Sequence, residues 1–293
     1  MDHELDVKQE LIDLYDAFTH GHMDRREFLD RFTKAAGGIV AAAALLPLIE
    51  TDPAAAAVIE PDDDRLTTDR VTYSAPDGPV TAYRARPSAG GEMASIIVIH
   101  ENRGLNAHIE DVTRRAALAG YTGLGLDLLS PVGGTPADAN EARGLIGGLD
   151  RAVLLRNVAA AMSYLRAQPG AADPIGIVGF CWGGGVVGDV AVAAPDLDAA
   201  IVFYGRAPRL ADVPDIRARM LMHYASRDDR INATVFPAFI DALKAAGKDF
   251  TAHLYEDAQH AFHNDTAQSR YNAAAAMLAW SRSVAFFDET LKG

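Results

Sequence analysis

The chain has 293 residues, 49% of them hydrophobic, which is enough for one large α/β domain with a full core. A formal charge of -13 argues against a nucleic-acid or anionic-membrane surface. No run reaches the roughly 18 to 20 unbroken apolar residues of a membrane span, and no repeat recurs at the about 20- to 50-residue periods of solenoids and propellers.

In chain order, Leu5 to Phe18 carries apolar residues at helical spacing (Leu11, Ile12, Leu14, Tyr15, Phe18) among acids and reads as an amphipathic helix. Asp24-Arg-Arg-Glu-Phe-Leu29 follows, then the apolar run Ala35 to Ile49, then Pro53 and the alanines 54 to 57. Twin arginine, apolar segment and small-residue site, in that order, resemble a twin-arginine export signal. The preceding segment is long and acidic, and Asp30 stands where a basic residue is usual. A second reading therefore stays open, a retained helical arm with Ala35 to Leu46 as its second helix. The first reading places the protein in the periplasm, the second in the cytoplasm. Glu60 to Asp64 is an acidic linker with a proline, dividing an extension, 1–64, from a catalytic body, 65–293.

The body alternates strand and helix signals. Val71 to Ser74 and Val80 to Arg84, around Pro76-Asp-Gly78, predict an antiparallel hairpin at a sheet edge. Ser95 to His100 is a buried strand, His108 to Ala119 a helix closed by Gly120, and Tyr121 to Leu126 the next strand. Pro131 to Gly148, rich in Gly and Pro, reads as an excursion over the site, and Asp150 to Ala167 as a long helix. Ile175 to Phe180 is a strand, and Gly184 to Ala194 a helix. Strands at Ala199 to Tyr204, Met220 to Tyr224 and Phe250 to Tyr255 alternate with helices at Ile231 to Ala246 and Tyr271 to Leu291. This predicts a mostly parallel sheet with helices on both faces and functional groups at the carboxyl ends of its strands.

The most informative stretch is Gly179-Phe-Cys-Trp-Gly183, between a predicted strand and a predicted helix. It is the G-x-C-x-G form of a nucleophile elbow, with a thiol where a hydroxyl is usual. Cys181 is the only cysteine, so it has no partner for an intrachain disulfide or a thiolate zinc site. A cysteine nucleophile needs a base, and the base needs a group that orients it. Of nine histidines, five precede the elbow. Elbow hydrolases run nucleophile, acid, histidine, which leaves His223, His253, His260 and His263. His223 and His253 fall inside predicted strands and suit structural roles. His260, just past the last strand, is the expected base, with His263 as its near competitor. The acid is Asp228 or Asp229, just past Met220 to Tyr224. Asp228 is preferred because Asp229 suits the cap of the helix beginning near Ile231. The amides of Trp182 and Asn102 are the candidate oxyanion donors. Glu101 either faces the thiol and holds its proton until substrate arrives, or pairs with Arg103 at the surface. Tyr204 lines either the acyl pocket or the core.

His100-Glu-Asn-Arg-Gly-Leu, Gly179-Phe-Cys-Trp-Gly-Gly, Phe203-Tyr-Gly205 and His260-Ala-Phe-His-Asn264 together resemble the dienelactone hydrolases (carboxymethylenebutenolidases) of the α/β-hydrolase fold, over about residues 65 to 291. The resemblance implies a triad of Cys181, His260 and Asp228, with Glu101 contacting and activating the cysteine. It also implies a small-molecule ester or lactone as substrate, hydrolysed without cofactor or metal. The chain departs from the pattern where that family carries a substrate-binding arginine after the histidine: the position is Asn264. A second such arginine has only Arg143 as a candidate, and Arg103 and Arg206 are the other cations near the predicted site. Neutral esters and lactones are accordingly expected to serve at least as well as a carboxylated dienelactone. A monomer or a homodimer suits this reading. Two other classes stay open: a fold kept as a catalytically silent binding module, and a thiol redox sensor, which has no resolving cysteine of its own.

Overall fold

In a computed structural model of the protein, residues 9–19, 23–36 and 59–293 are described. Eight strands form one sheet: β1 (Leu66–Ala75), β2 (Gly78–Pro87), β3 (Met93–Ile99), β4 (Thr122–Leu126), β5 (Ala171–Phe180), β6 (Ala199–Phe203), β7 (Arg219–Ala225) and β8 (Phe250–Tyr255). Their order is β1-β2-β4-β3-β5-β6-β7-β8. The β1–β2 hairpin is antiparallel and joins β4 antiparallel, whereas every pairing from β4 through β8 is parallel. This is the doubly covered, mostly parallel sheet of the α/β-hydrolase fold.

The helices of the body are α3 (Ala107–Leu118), α4 (Ala139–Gly147), α5 (Arg151–Arg166), α6 (Trp182–Ala193), α7 (Asp229–Thr234), α8 (Phe236–Ala245) and α9 (Ala273–Phe287). Alternation along β3 explains the two cores. Ile97 and Ile99 join a cluster with Leu154 and Val158 of α5, Val186 and Val190 of α6 and Phe239 of α8. Ile96 and Val98 join Ile109 and Val112 of α3 and Ala279 and Phe286 of α9 on the opposite face. Successive side chains of a strand point to opposite faces, so one buried strand serves two layers.

Two elements differ from the expectation. The excursion before α5 contains a helix, α4, whose first turn is capped by the Asp138 carboxylate at 2.7 and 3.1 Å from the Asn140 and Glu141 amides. Its Gly and Pro residues concentrate before that cap, which hid the helix. The single helix expected from Ile231 to Ala246 is two, because Pro237 lacks the N–H a continuous helix would use and stands in the first turn of α8.

Before the sheet lie α1 (Gln9–Thr19) and α2 (Arg25–Ala36). Leu11, Leu14, Tyr15, Met23, Phe28 and Phe32 form a small core of their own between them. The twin arginine Arg25-Arg26 opens α2, behind Asp24, whose carboxylate accepts from the Glu27 amide at 2.9 Å. The apolar run to Ile49 and the alanines 54 to 57 fall mostly or wholly outside the described residues, as does the predicted second arm helix beyond Ala36.

The join of β5 to α6 is packed backbone against backbone. A Cβ on Gly179 would sit 2.4 Å from the Gly183 carbonyl oxygen, and one on Gly183 would sit 2.4 Å from that of His100. The two glycines let the helix N-terminus close onto the ends of β5 and β3. Gly183→Ala should therefore destabilise the fold by about 1–3 kcal/mol through overpacking, lowering the melting temperature by several degrees, about 2–4 °C per kcal/mol. An unchanged melting curve would show that the join has room to spare.

Candidate active site

Cys181 sits on this join with φ 54° and ψ -115°. That conformation is costly for a residue with a Cβ and persists only where the surroundings impose it. Here the Cys181 amide donates to the Phe203 carbonyl at 3.0 Å and its carbonyl accepts from Gly185 at 3.2 Å. The sulfur is thereby held over the first turn of α6, whose amides carry the positive end of the helix dipole. Cys181 is 7% exposed, enough to open onto a cavity of about 460 Å³. Asn102, Trp182, Tyr204 and His260 line the same cavity.

His260 follows β8 in a loop shaped by two residues in the left-handed region, Asp257 (φ 57°) and Ala261 (φ 65°). Its Nδ1 lies 2.5 Å from Asp228 Oδ2, both groups being buried, and the imidazole also hydrogen-bonds Cys181. Burial alone would lower the basicity of His260. The charges of Asp228 and of the Cys181 sulfur outweigh it and hold His260 well above its ordinary range. Burial likewise opposes the charge of Asp228, but the His260 imidazolium and the hydrogen bonds from His260 and the Ile231 amide keep its carboxyl below the usual range. The capping expectation was reversed. Asp228 itself caps α7, accepting from Ile231 at 3.3 Å through Oδ1 while Oδ2 meets His260. One carboxylate thus does both tasks, because its two oxygens face different donors.

His263 lies elsewhere. It is fully buried, its ring stacked on Phe180 with centroids 5.1 Å apart. Burial, then the charges of Arg115 and His108, push it well below its ordinary range, so it is a neutral core residue. His223 is buried between the Tyr255 hydroxyl at 2.8 Å and Ser283 Oγ at 3.0 Å.

Glu101 and its surroundings form a second buried group. The Tyr204 hydroxyl donates to Glu101 Oε1 at 3.4 Å, and Asn264 Nδ2 donates to Oε2 at 2.6 Å. Asn264 is fixed in turn by the amide and hydroxyl of Thr266, at 3.0 and 2.6 Å from its Oδ1. Tyr204 is fully buried with φ 39°. Desolvation, then the charges of Glu101 and Cys181, raise its hydroxyl well above the usual range, so it stays a neutral donor beside the sulfur. Asn264, expected at the substrate, is instead 1% exposed and holds Glu101. Its amide is directed inward because the buried carboxylate needs a donor more than the cavity does. Arg103 does not line the cavity and instead donates to the Tyr15 hydroxyl of α1.

The cavity has more cations than the sequence suggested. Arg143 lines it from α4, together with Arg151, Arg206 and Arg230. Arg151 and Arg206 share one buried carboxylate, Asp189 of α6, at 3.1 and 2.5 Å. An acid eight residues past Cys181 in an otherwise apolar helix was the available clue; its partners were not legible, being 38 and 17 residues away. Among the described residues, no group of three or more His, Cys, Asp or Glu is arranged to hold a metal ion, and no helix is long and apolar enough to cross a membrane.

Comparison with known proteins then places the chain. The sequence profile of the dienelactone hydrolase family matches residues 80–291. The chain belongs to that family. A second profile, described as YqhI-like, matches residues 2–35. A relative from Methylorubrum extorquens, assigned by name as a carboxymethylenebutenolidase, is 32% identical over 244 residues, covering 78% of this chain and 83% of its own. A Bradyrhizobium protein assigned by name as a 2-oxo-3-(5-oxofuran-2-ylidene)propanoate lactonase is 29% identical over 218 residues, covering 70% and 87%. The crystal structure assigned as a dienelactone hydrolase of Klebsiella pneumoniae superposes with a TM-score of 0.71 at 28% identity, covering 76% of this chain and 99% of that one. This dienelactone hydrolase relative is accordingly a hydrolase of the α/β-hydrolase fold.

The two buried histidines should titrate in opposite senses. In NMR spectra of the imidazole protons, His260 should stay protonated well above pH 6.5 and His263 should stay neutral well below it. Asp228→Asn removes the charge that supports the imidazolium, so the His260 midpoint should fall, each pKa unit marking about 1.4 kcal/mol of lost interaction. A wild-type His260 that titrates below pH 6.5 would disprove the charged pair.

Proposed function

We propose that the protein hydrolyses a small carboxylic ester or lactone through a thioester on Cys181. The observation that carries this is the relay on the elbow: a thiol on a strained turn, hydrogen-bonded to an imidazole that is itself bonded to a buried carboxylate. Cys181 attacks the carbonyl carbon as a thiolate, while the amides of Trp182 and Asn102 stabilise the oxyanion. His260, held charged by Asp228, gives its proton to the leaving alkoxide as the C–O bond breaks. For a lactone the alkoxide stays tethered in the acyl group. Water then attacks the thioester, with His260 taking its proton, and the thiolate leaves again.

Glu101 has a separate part. Its carboxylate is fixed by Asn264 and by Tyr204, whose hydroxyl also feels the charge of Cys181, and this suits it to hold the sulfur's proton until substrate arrives. The four arginines on the cavity, against the one carboxylate of Asp189, fit a substrate that carries a negative charge. Asn264 consequently no longer argues for neutral substrates.

Intact-mass analysis of enzyme quenched during turnover of an ester or lactone should reveal an acyl adduct on Cys181. Cys181→Ala should lose the adduct and at least about a thousandfold in rate, as removal of a nucleophile typically does. Ligand binding without turnover in the wild type would favour the binding-module reading. Turnover surviving in Cys181→Ala would end the covalent mechanism.

A further inference from the structure

Three of the arginines around the site are gripped by one helix that lies far from them in sequence. The Arg143 guanidinium lies 4.9 Å from the centre of the Phe18 ring, while Asn140 Oδ1 accepts from it at 2.9 Å on the other side. The Arg270 guanidinium lies 5.5 Å from the centre of the Tyr15 ring, and Arg103 donates to the Tyr15 hydroxyl. Phe18 and Tyr15 lie one turn apart on α1, on the face where i and i+3 side chains meet. The three arginines bear on the site in different ways. Arg143 lines the cavity, Arg103 follows Asn102 in its loop, and the charge of Arg270 acts on the Tyr204 hydroxyl.

The arm meets the body through these cation–ring and hydroxyl contacts, while its apolar residues close on one another between α1 and α2. Such contacts are individually weak. They hold the long arginine side chains in place. An arginine stacked on a ring has fewer positions open to it than one in water, so its charge stays where the stack puts it.

We infer that the N-terminal helical hairpin is a strap on the Cys181 site, in which Phe18 and Tyr15 are positioning residues that hold Arg143, Arg103 and Arg270 and so set the positive field through which anions reach the sulfur. This concerns access and charge, and it requires only a reachable thiol. It therefore stands or falls separately from the ester and lactone chemistry proposed above.

Because Cys181 is the only cysteine, alkylation of the full-length chain reports this one position. The measurement is the ratio of second-order rates with iodoacetate, an anion, and iodoacetamide, its neutral counterpart. The ratio cancels any change in the reactivity of the sulfur itself. Phe18→Ala and Tyr15→Ala should each lower the ratio about two- to fivefold, the size expected of a single cation–ring contact. Phe18→Tyr, which keeps the ring, should restore it to within about twofold of wild type. Arg31→Ala, at the exposed Arg31–Glu27 pair on α2, should leave it unchanged. Tyr15 is buried in the hairpin core, so Tyr15→Phe serves as the milder variant and should lower the ratio by releasing Arg103. An unchanged ratio in both Phe18→Ala and Tyr15→Phe overturns the inference. So does an equal acceleration with both reagents, which would make the hairpin a plug and not a charge-positioning strap.

Discussion

The whole site depends on how closely a helix can approach the ends of two strands. Gly179 and Gly183 have no side chains, and the space a Cβ would need is already filled by backbone carbonyls. That approach fixes the N-terminus of α6 between β5 and β3 and forces Cys181, at the bend, to a positive φ. The strain is local, and it is sustained by the long-range pairing of β5 with β3 and β6 on either side. Loosening the join would let Cys181 relax to ordinary geometry. The sulfur would then leave its contact with His260. The geometry of Cys181 is in this sense a property of the sheet and not of the residue.

Two buried carboxylates belong to the surroundings of that fixed sulfur. Asp228 works at one remove, through His260, which it keeps charged. Glu101 accepts from the Tyr204 hydroxyl, which also feels the charge of Cys181. Both are fully committed to partners, Asp228 to His260 and the α7 amide, Glu101 to Tyr204 and Asn264. A buried charge without such partners would protonate or move. The network therefore fixes both carboxylates in place before any substrate arrives.

Much of this could be read from the chain. The elbow was legible because its geometry demands small residues at fixed offsets from the nucleophile. His260 and Asp228 were legible because a parallel sheet brings strand ends together in a known order. The helix cap was expected at Asp229 and is at Asp228, since a carboxylate with two oxygens can cap a helix and meet a histidine together. What escaped were partnerships set by distance in the chain. Asn264 occupies a position where a charged substrate contact was expected, yet its role depends on Glu101, 163 residues earlier. Asp189 and its two arginines, and the grip of Tyr15 on Arg103 and Arg270, are likewise contacts that no local periodicity encodes.

The charge of the molecule and the charge of the site have opposite signs. A chain carrying -13 overall lines the Cys181 cavity with arginines. Net charge governs solubility and long-range encounter, and it is screened over about 8–10 Å at physiological salt. Within the cavity the nearest guanidinium groups decide, because water is partly excluded and the distances are short. Those groups are long and flexible by nature, so their effect depends on what pins them. Asp189 pins two from the elbow helix, and Phe18 and Tyr15 pin others from outside the sheet. The field at the sulfur is thus a joint product of the hydrolase body and the segment that precedes it, and an account that stops at residue 65 would describe the reacting groups without the charges that select what reaches them.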